Sequence, residues 1–139
     1  MSIPREHRLR KHAEFELVYR NGKRHFSRLL TAFYLLRGER REKNFSEAAE
    51  KDGMTPGCRV GITVGRVLGT SAVRNRIKRR VRAAIREHLS RISRNVDVVI
   101  NPKKAVLEIG YRTLSSELAR AFDAIEEKAV GRDTEQNED

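Results

Sequence analysis

Between residues 71 and 92, Val73, Ile77, Val81, Ala84, Ile85, His88, Leu89 and Ile92 recur at helical spacing and share one stripe. Opposite it stand Arg79, Arg82 and Arg86, with Arg76 and Lys78 flanking and Asn75 on the same polar side. Positions 74–82 hold six Lys or Arg side chains and no acid. Such a helix can pack by only one face. The remaining segments must therefore supply an apolar layer beneath it.

They have the right patterns. "KHAEFELVYRNG" places Phe15, Val18 and Tyr19 at i, i+3, i+4, with Gly22 where a helix ends. "RLLTAFYLLRG" reads as a strand, and a weaker extended piece around Lys23–Ser27 would pair with it as a hairpin. Residues 38–57 are polar and read as a surface loop, with a transient helical turn at Ser46–Lys51. "CRVGITVG" alternates as a half-buried strand does, and "VDVVINP" is a short buried strand stopped by Pro102. Leu114, Leu118, Ala121, Phe122 and Ile125 mark a last amphipathic helix, with Thr113 as N-cap. The expected fold is an α+β sandwich of order α-β-β-β-α-β-α, with helices packed on a four-stranded sheet. One domain spans 1–130, and 131–139 form a polar tail expected to be disordered.

Charge narrows the function. The chain of 139 residues carries a formal net charge of +11, a pI near 10.5 and a mean hydropathy of −0.65. Residues 59–95 hold 11 basic side chains against a single acid, Glu87. A solvated helix face normally mixes signs and gains from i,i+4 pairs, whereas Lys78/Arg82 and Arg82/Arg86 repel. A phosphate array relieves that repulsion and releases counterions. Arginine predominates, which suits bidentate phosphate contacts. Asn75 suits either a helix cap or a hydrogen bond to a phosphate, a sugar or ion-bound water.

Protein-borne catalysis is not expected. A nuclease needs a metal-binding carboxylate set or an acid–base pair. The acids among the basic blocks are few, and His7, His12, His25 and His88 make no ligand spacing with Cys58. Cys58, the only cysteine, reads as a small buried hydrophobe on a strand and fits a reducing compartment. No apolar run is long enough to span a membrane, and the N-terminus lacks a signal-peptide core. A cytoplasmic protein is expected.

The stretch "GITVGRVLGTSAVRNRIKRRVRAAIRE" strongly resembles the bacterial ribonuclease P protein subunit, above all in Arg74-Asn75-Arg76 followed by Lys78-Arg79. "RLRKHAEFELVYRNGKR" resembles that family's N-terminal pattern, and the likeness covers about 1–128. It implies a left-handed crossover from the third strand through the basic helix, against the usual right-handed rule. It also implies that Arg74, Asn75, Arg76, Lys78, Arg79 and Arg82 face the ribonuclease P RNA. Phe15 and Tyr19 would then take the single-stranded 5′ leader of precursor tRNA, with Phe33 or Tyr34 as a further candidate and Arg66 nearby. Aromatic rings suit single-stranded RNA because every base has a π-face; Phe15 fits core packing equally well. The resemblance implies hydrolysis by the RNA with Mg²⁺, bound mainly by the RNA; no catalytic or metal-binding side chain is expected in the protein, and no obligate protein partner is inferred. The chain departs from the family in "GRVLG", where Arg66 is followed by Val67 rather than by a second cation, and at Thr70, where asparagine is usual. A structural RNA-binding protein of ribosomal type would share the charge, without an enzymatic role.

Overall fold

The computed structural model describes residues 3–37 and 57–137, with side chains as far as residue 131. Helix α1 runs His12–Asn21, strands β1 and β2 run Lys23–Phe26 and Leu30–Leu36, and β3 runs Arg59–Ile62. The basic helix, α2, is Ser71–His88, β4 is Val96–Pro102, and α3 is Tyr111–Asn137. The order is the expected α-β-β-β-α-β-α. The expected loop 38–57 and its helical turn lie outside the described residues, apart from Gly57.

The sheet order is β1-β2-β4-β3. β1 and β2 form the expected hairpin, β2 pairs antiparallel with β4, and β3 lies parallel to β4. A parallel pair needs a crossover, and α2 supplies it. Leu30, Ala32, Tyr34, Val60, Val98 and Ile100 face α2 and α3, where Ile77, Val81, Ile85, Leu118 and Phe122 close the main core. On the opposite face, Leu35 and Val99 pack with Leu9, Leu17 and Val18 of the N-terminal segment and α1. The described residues are thus layered: one helix, the sheet, then two helices.

Several local features differ from the sequence reading. Gly22 ends α1, but its φ of −81° is ordinary. Glycine is needed there because a Cβ would collide with the carbonyl oxygens of Val18 and Tyr34. Thr70 caps α2, its Oγ1 accepting from the Val73 N–H at 3.3 Å. Asn75 is therefore not the cap. Thr113 is not a cap either: α3 begins at Tyr111, and the Thr113 and Leu114 N–H groups donate to the Gly110 carbonyl. The backbone of α3 continues to Asn137, past the point where the tail was placed. Extending a formed helix adds a hydrogen bond per residue with no new nucleation. Finally, β3 is buried at Arg59, Val60 and Gly61 in succession rather than alternating, because both of its faces are covered.

Behind that last feature is a buried ionic cluster. Asp97 on β4 is fully buried and accepts from Arg59 Nε and Nη2 at 2.9 and 2.8 Å, and from Arg37 Nη1 at 3.0 Å. Arg59 also pairs with Glu14 of α1 at 2.6 Å, and Arg37 Nη2 donates to the Gly57 carbonyl. Charges that deep persist only when paired. The cluster bolts α1 to the sheet and fixes the direction in which Phe15, the next residue, projects.

Candidate nucleic-acid interface

The cationic ridge of α2 follows from its packing. Ile77, Val81, Ala84 and Ile85 are buried, which turns Asn75, Arg76, Arg79 and Arg86 to solvent and leaves Arg74, Lys78 and Arg82 half-buried. None of Arg76, Lys78, Arg79, Arg82 and Arg86 has an acidic partner among the described residues. Arg74 donates to the Ser71 hydroxyl at 3.4 Å. Arg80 is the exception in the basic block: its Nη2 donates to the Ile109 carbonyl at 2.6 Å, so it ties α2 to the α3 approach. Glu87 turns away as well, accepting from the Tyr111 and Ser115 hydroxyls at 2.9 and 3.1 Å. Those bonds hold its carboxyl below the ordinary glutamate value. The ridge is left with one sign of charge.

A groove runs beside it, between α1 and the sheet. Phe15 is half-buried, its ring resting on Gly61, where a Cβ would overlap it. Tyr19 is exposed, donates from its hydroxyl to Asn101 Oδ1 at 3.0 Å, and meets Phe33 edge-to-face with centroids 4.8 Å apart. The register resolves the choice between Phe33 and Tyr34. Phe33 lies opposite Val99 on the α1 side, whereas Tyr34 is buried in the main core. A cavity of about 380 Å³ joins groove to ridge, lined by Leu9, Arg10, Phe15, Gly61, Lys78 and Arg82 among others. The N–H of Leu9 donates to the Val60 carbonyl, so the basic N-terminal segment covers the outer edge of β3 and brings Arg8 and Arg10 to the same cavity. Phe15 thus belongs to both alternatives: it packs against the cluster of Leu9, Leu17, Val18, Leu35 and Val99 and also lines the cavity.

Arg66 is not brought into this arrangement. It sits exposed in the short turn Arg66–Leu68 after β3 and lines neither this cavity nor its neighbour of about 260 Å³ between the N-terminal segment and Arg59. Sequence reasoning missed Asn101, Arg24 and the Glu14–Arg59–Asp97–Arg37 cluster. The signal for the cluster was present: an aspartate within the apolar run "VDVVI" must have a buried partner.

The arrangement can bind polyanions and stack bases, but it assembles no nucleophile. Burial pushes the Cys58 thiol up to about 11. His88 accepts at Nδ1 from Arg91 at 3.0 Å, so its Nε2–H donates to Ser115 Oγ at 2.7 Å. That polarity is the reverse of what would activate a serine. No group of three or more His, Cys, Asp and Glu side chains among the described residues could hold a metal ion, and Asp97 and Glu14 are committed to guanidinium groups. No helix among the described residues is long and apolar enough to cross a membrane.

An α+β sandwich with a one-signed ridge and an aromatic groove falls in the class of small RNA-binding proteins. Comparison with known proteins sharpens that class. The family model for Ribonuclease P matches residues 3–126. A Bacillus cereus ribonuclease P protein component is 30% identical over 122 residues, covering 88% of this chain and 90% of its own. The RNase P protein from Thermotoga maritima superposes with a TM-score of 0.64 at 24% identity, over 84% of this chain and 96% of its own. A Staphylococcus aureus RNase P protein gives a TM-score of 0.61 at 22% identity, over 82% and 90%. The chain belongs to the ribonuclease P protein family.

Proposed function

We propose that this protein is the accessory subunit of ribonuclease P, gripping the catalytic RNA with Arg74, Asn75, Arg76, Lys78, Arg79 and Arg82 and the 5′ leader of precursor tRNA with Phe15, Tyr19 and Phe33. The observation that carries this reading is the cavity shared by Phe15, Lys78 and Arg82, which makes the ridge and the groove one continuous surface. Hydrolysis belongs to the RNA and its Mg²⁺, and the protein contributes affinity and position. Arg66, exposed in the turn after β3, is proposed as a phosphate contact for the leader rather than a stacking neighbour. The site of action is placed in the cytoplasm.

Reconstitution tests this. Added to its cognate RNA at low Mg²⁺, the protein is expected to raise cleavage of precursor tRNA at the 5′ junction. No stimulation at any salt concentration would leave only a structural RNA-binding role.

Tyr19→Ala tests the groove. Losing one stacked base removes roughly 1–3 kcal/mol of affinity, and the loss is expected for leader-bearing precursor only. An equal loss for leaderless tRNA would mean that the Tyr19–Asn101 hydrogen bond serves folding instead.

A further inference from the structure

The α1 face of the sheet does not stop at Phe33. Arg24 lies opposite Phe33 and Phe26 opposite Thr31, so both β1 side chains rise on the same face, while Lys23 and His25 turn to the other. The Arg24 guanidinium stands 5.8 Å from the Phe33 ring centroid and 5.9 Å from that of Phe26. One cation thus bridges two rings. Together with the Tyr19–Phe33 contact, this makes an unbroken run of Tyr19, Phe33, Arg24 and Phe26 from α1 to the edge of the sheet.

Phe26 is 67% exposed on a strand that, among the described residues, has a neighbour on one side only. A lone exposed ring is ordinary. This one is held beside a guanidinium that pairs with no carboxylate among the described residues, at the end of a groove already lined with aromatics.

We propose that Arg24 and Phe26 form a further subsite, which stacks one more base of the single-stranded RNA held in the groove. The proposal rests on the leader reading above and adds where the strand runs after Phe33. The open face of Phe26 takes the base, and the free donors of Arg24 take the adjoining phosphate. A protein partner is disfavoured because the exposed ring is bordered by a cation rather than by more apolar surface.

The test uses the reconstituted protein–RNA complex and precursor tRNAs whose leaders grow one nucleotide at a time. Wild-type affinity is expected to rise again once the leader reaches β1. Phe26→Ala should abolish that last gain, roughly 5- to 150-fold, the size of one stacked base, while binding short leaders as wild type does. Phe26→Trp should retain the gain, and Arg24→Ala should lose part of it. Phe26→Ala binding every leader like wild type, weakening all leaders equally, or changing only the oligomeric state would each overturn the subsite. Failure of the leader reading itself looks different: wild-type affinity would then be indifferent to leader length, and Tyr19→Ala would be silent.

Discussion

Asp97→Ala is expected to lower the free energy of unfolding by about 3–5 kcal/mol, the usual result of removing one partner from a buried ion cluster. Asp97 has no exposed surface, and the side chains of Arg37 and Arg59 are 3% and 5% exposed. Without the carboxylate, two guanidinium groups in the interior lose the anion they share, while Arg59 keeps Glu14 and Arg37 keeps the Gly57 carbonyl. Such a loss is a large part of the roughly 5–15 kcal/mol typical of a whole domain. Equilibrium denaturation in urea reads it directly. A change below about 1 kcal/mol would mean that the cluster behaves as a surface pair. Replacing Glu14, Arg37, Arg59 and Asp97 together by apolar residues of similar volume should recover much of the stability, because the charges rather than the shape make the single change severe.

The second large effect concerns RNA affinity and leaves the fold intact. Arg76→Ala combined with Arg79→Ala should weaken binding of the RNA subunit about 100-fold or more, at roughly 1.5–3 kcal/mol for each charge-assisted hydrogen bond to phosphate. Both side chains are exposed and neither has an acidic partner among the described residues, so their removal disturbs no ion pair there. The diagnostic is the slope of log affinity against log salt, which should become shallower by about 2, one for each phosphate no longer neutralised. Binding isotherms across a range of salt concentrations suffice. An unchanged slope would mean that these two arginines touch no phosphate. Arg80→Ala is the control: its guanidinium is bonded to the Ile109 carbonyl, so it should reduce stability more than it reduces the slope.

Elements with one dominant pattern were legible from sequence. The α2 stripe predicted a helix, and its buried positions are Ile77, Val81, Ala84 and Ile85. The hairpin was legible as well. What escaped depends on partners distant in sequence. Whether Phe33 or Tyr34 faces the groove is a one-residue question of register, and only pairing with β4 answers it. In the sequence Arg59 is only one of the 11 basic residues of 59–95, because a buried arginine declares itself through Asp97 and Glu14, which come from other elements. Asn75 was open between two roles until Thr70 proved to hold the cap. Arg66 is exposed in the turn Arg66–Leu68 after β3 and does not line the cavity, a placement that the stretch "GRVLG" does not declare.

Lys78 and Arg82 border the same hollow as Phe15, and this has a thermodynamic corollary. If the scaffold RNA and the substrate strand meet at that seam, their affinities are linked. Whatever factor one occupant adds to the grip on the other must be returned in full, since coupling between binding equilibria is reciprocal. A longer leader that bound more tightly by touching Lys78 or Arg82 would also lower, by the same factor, the dissociation constant of the protein for its RNA.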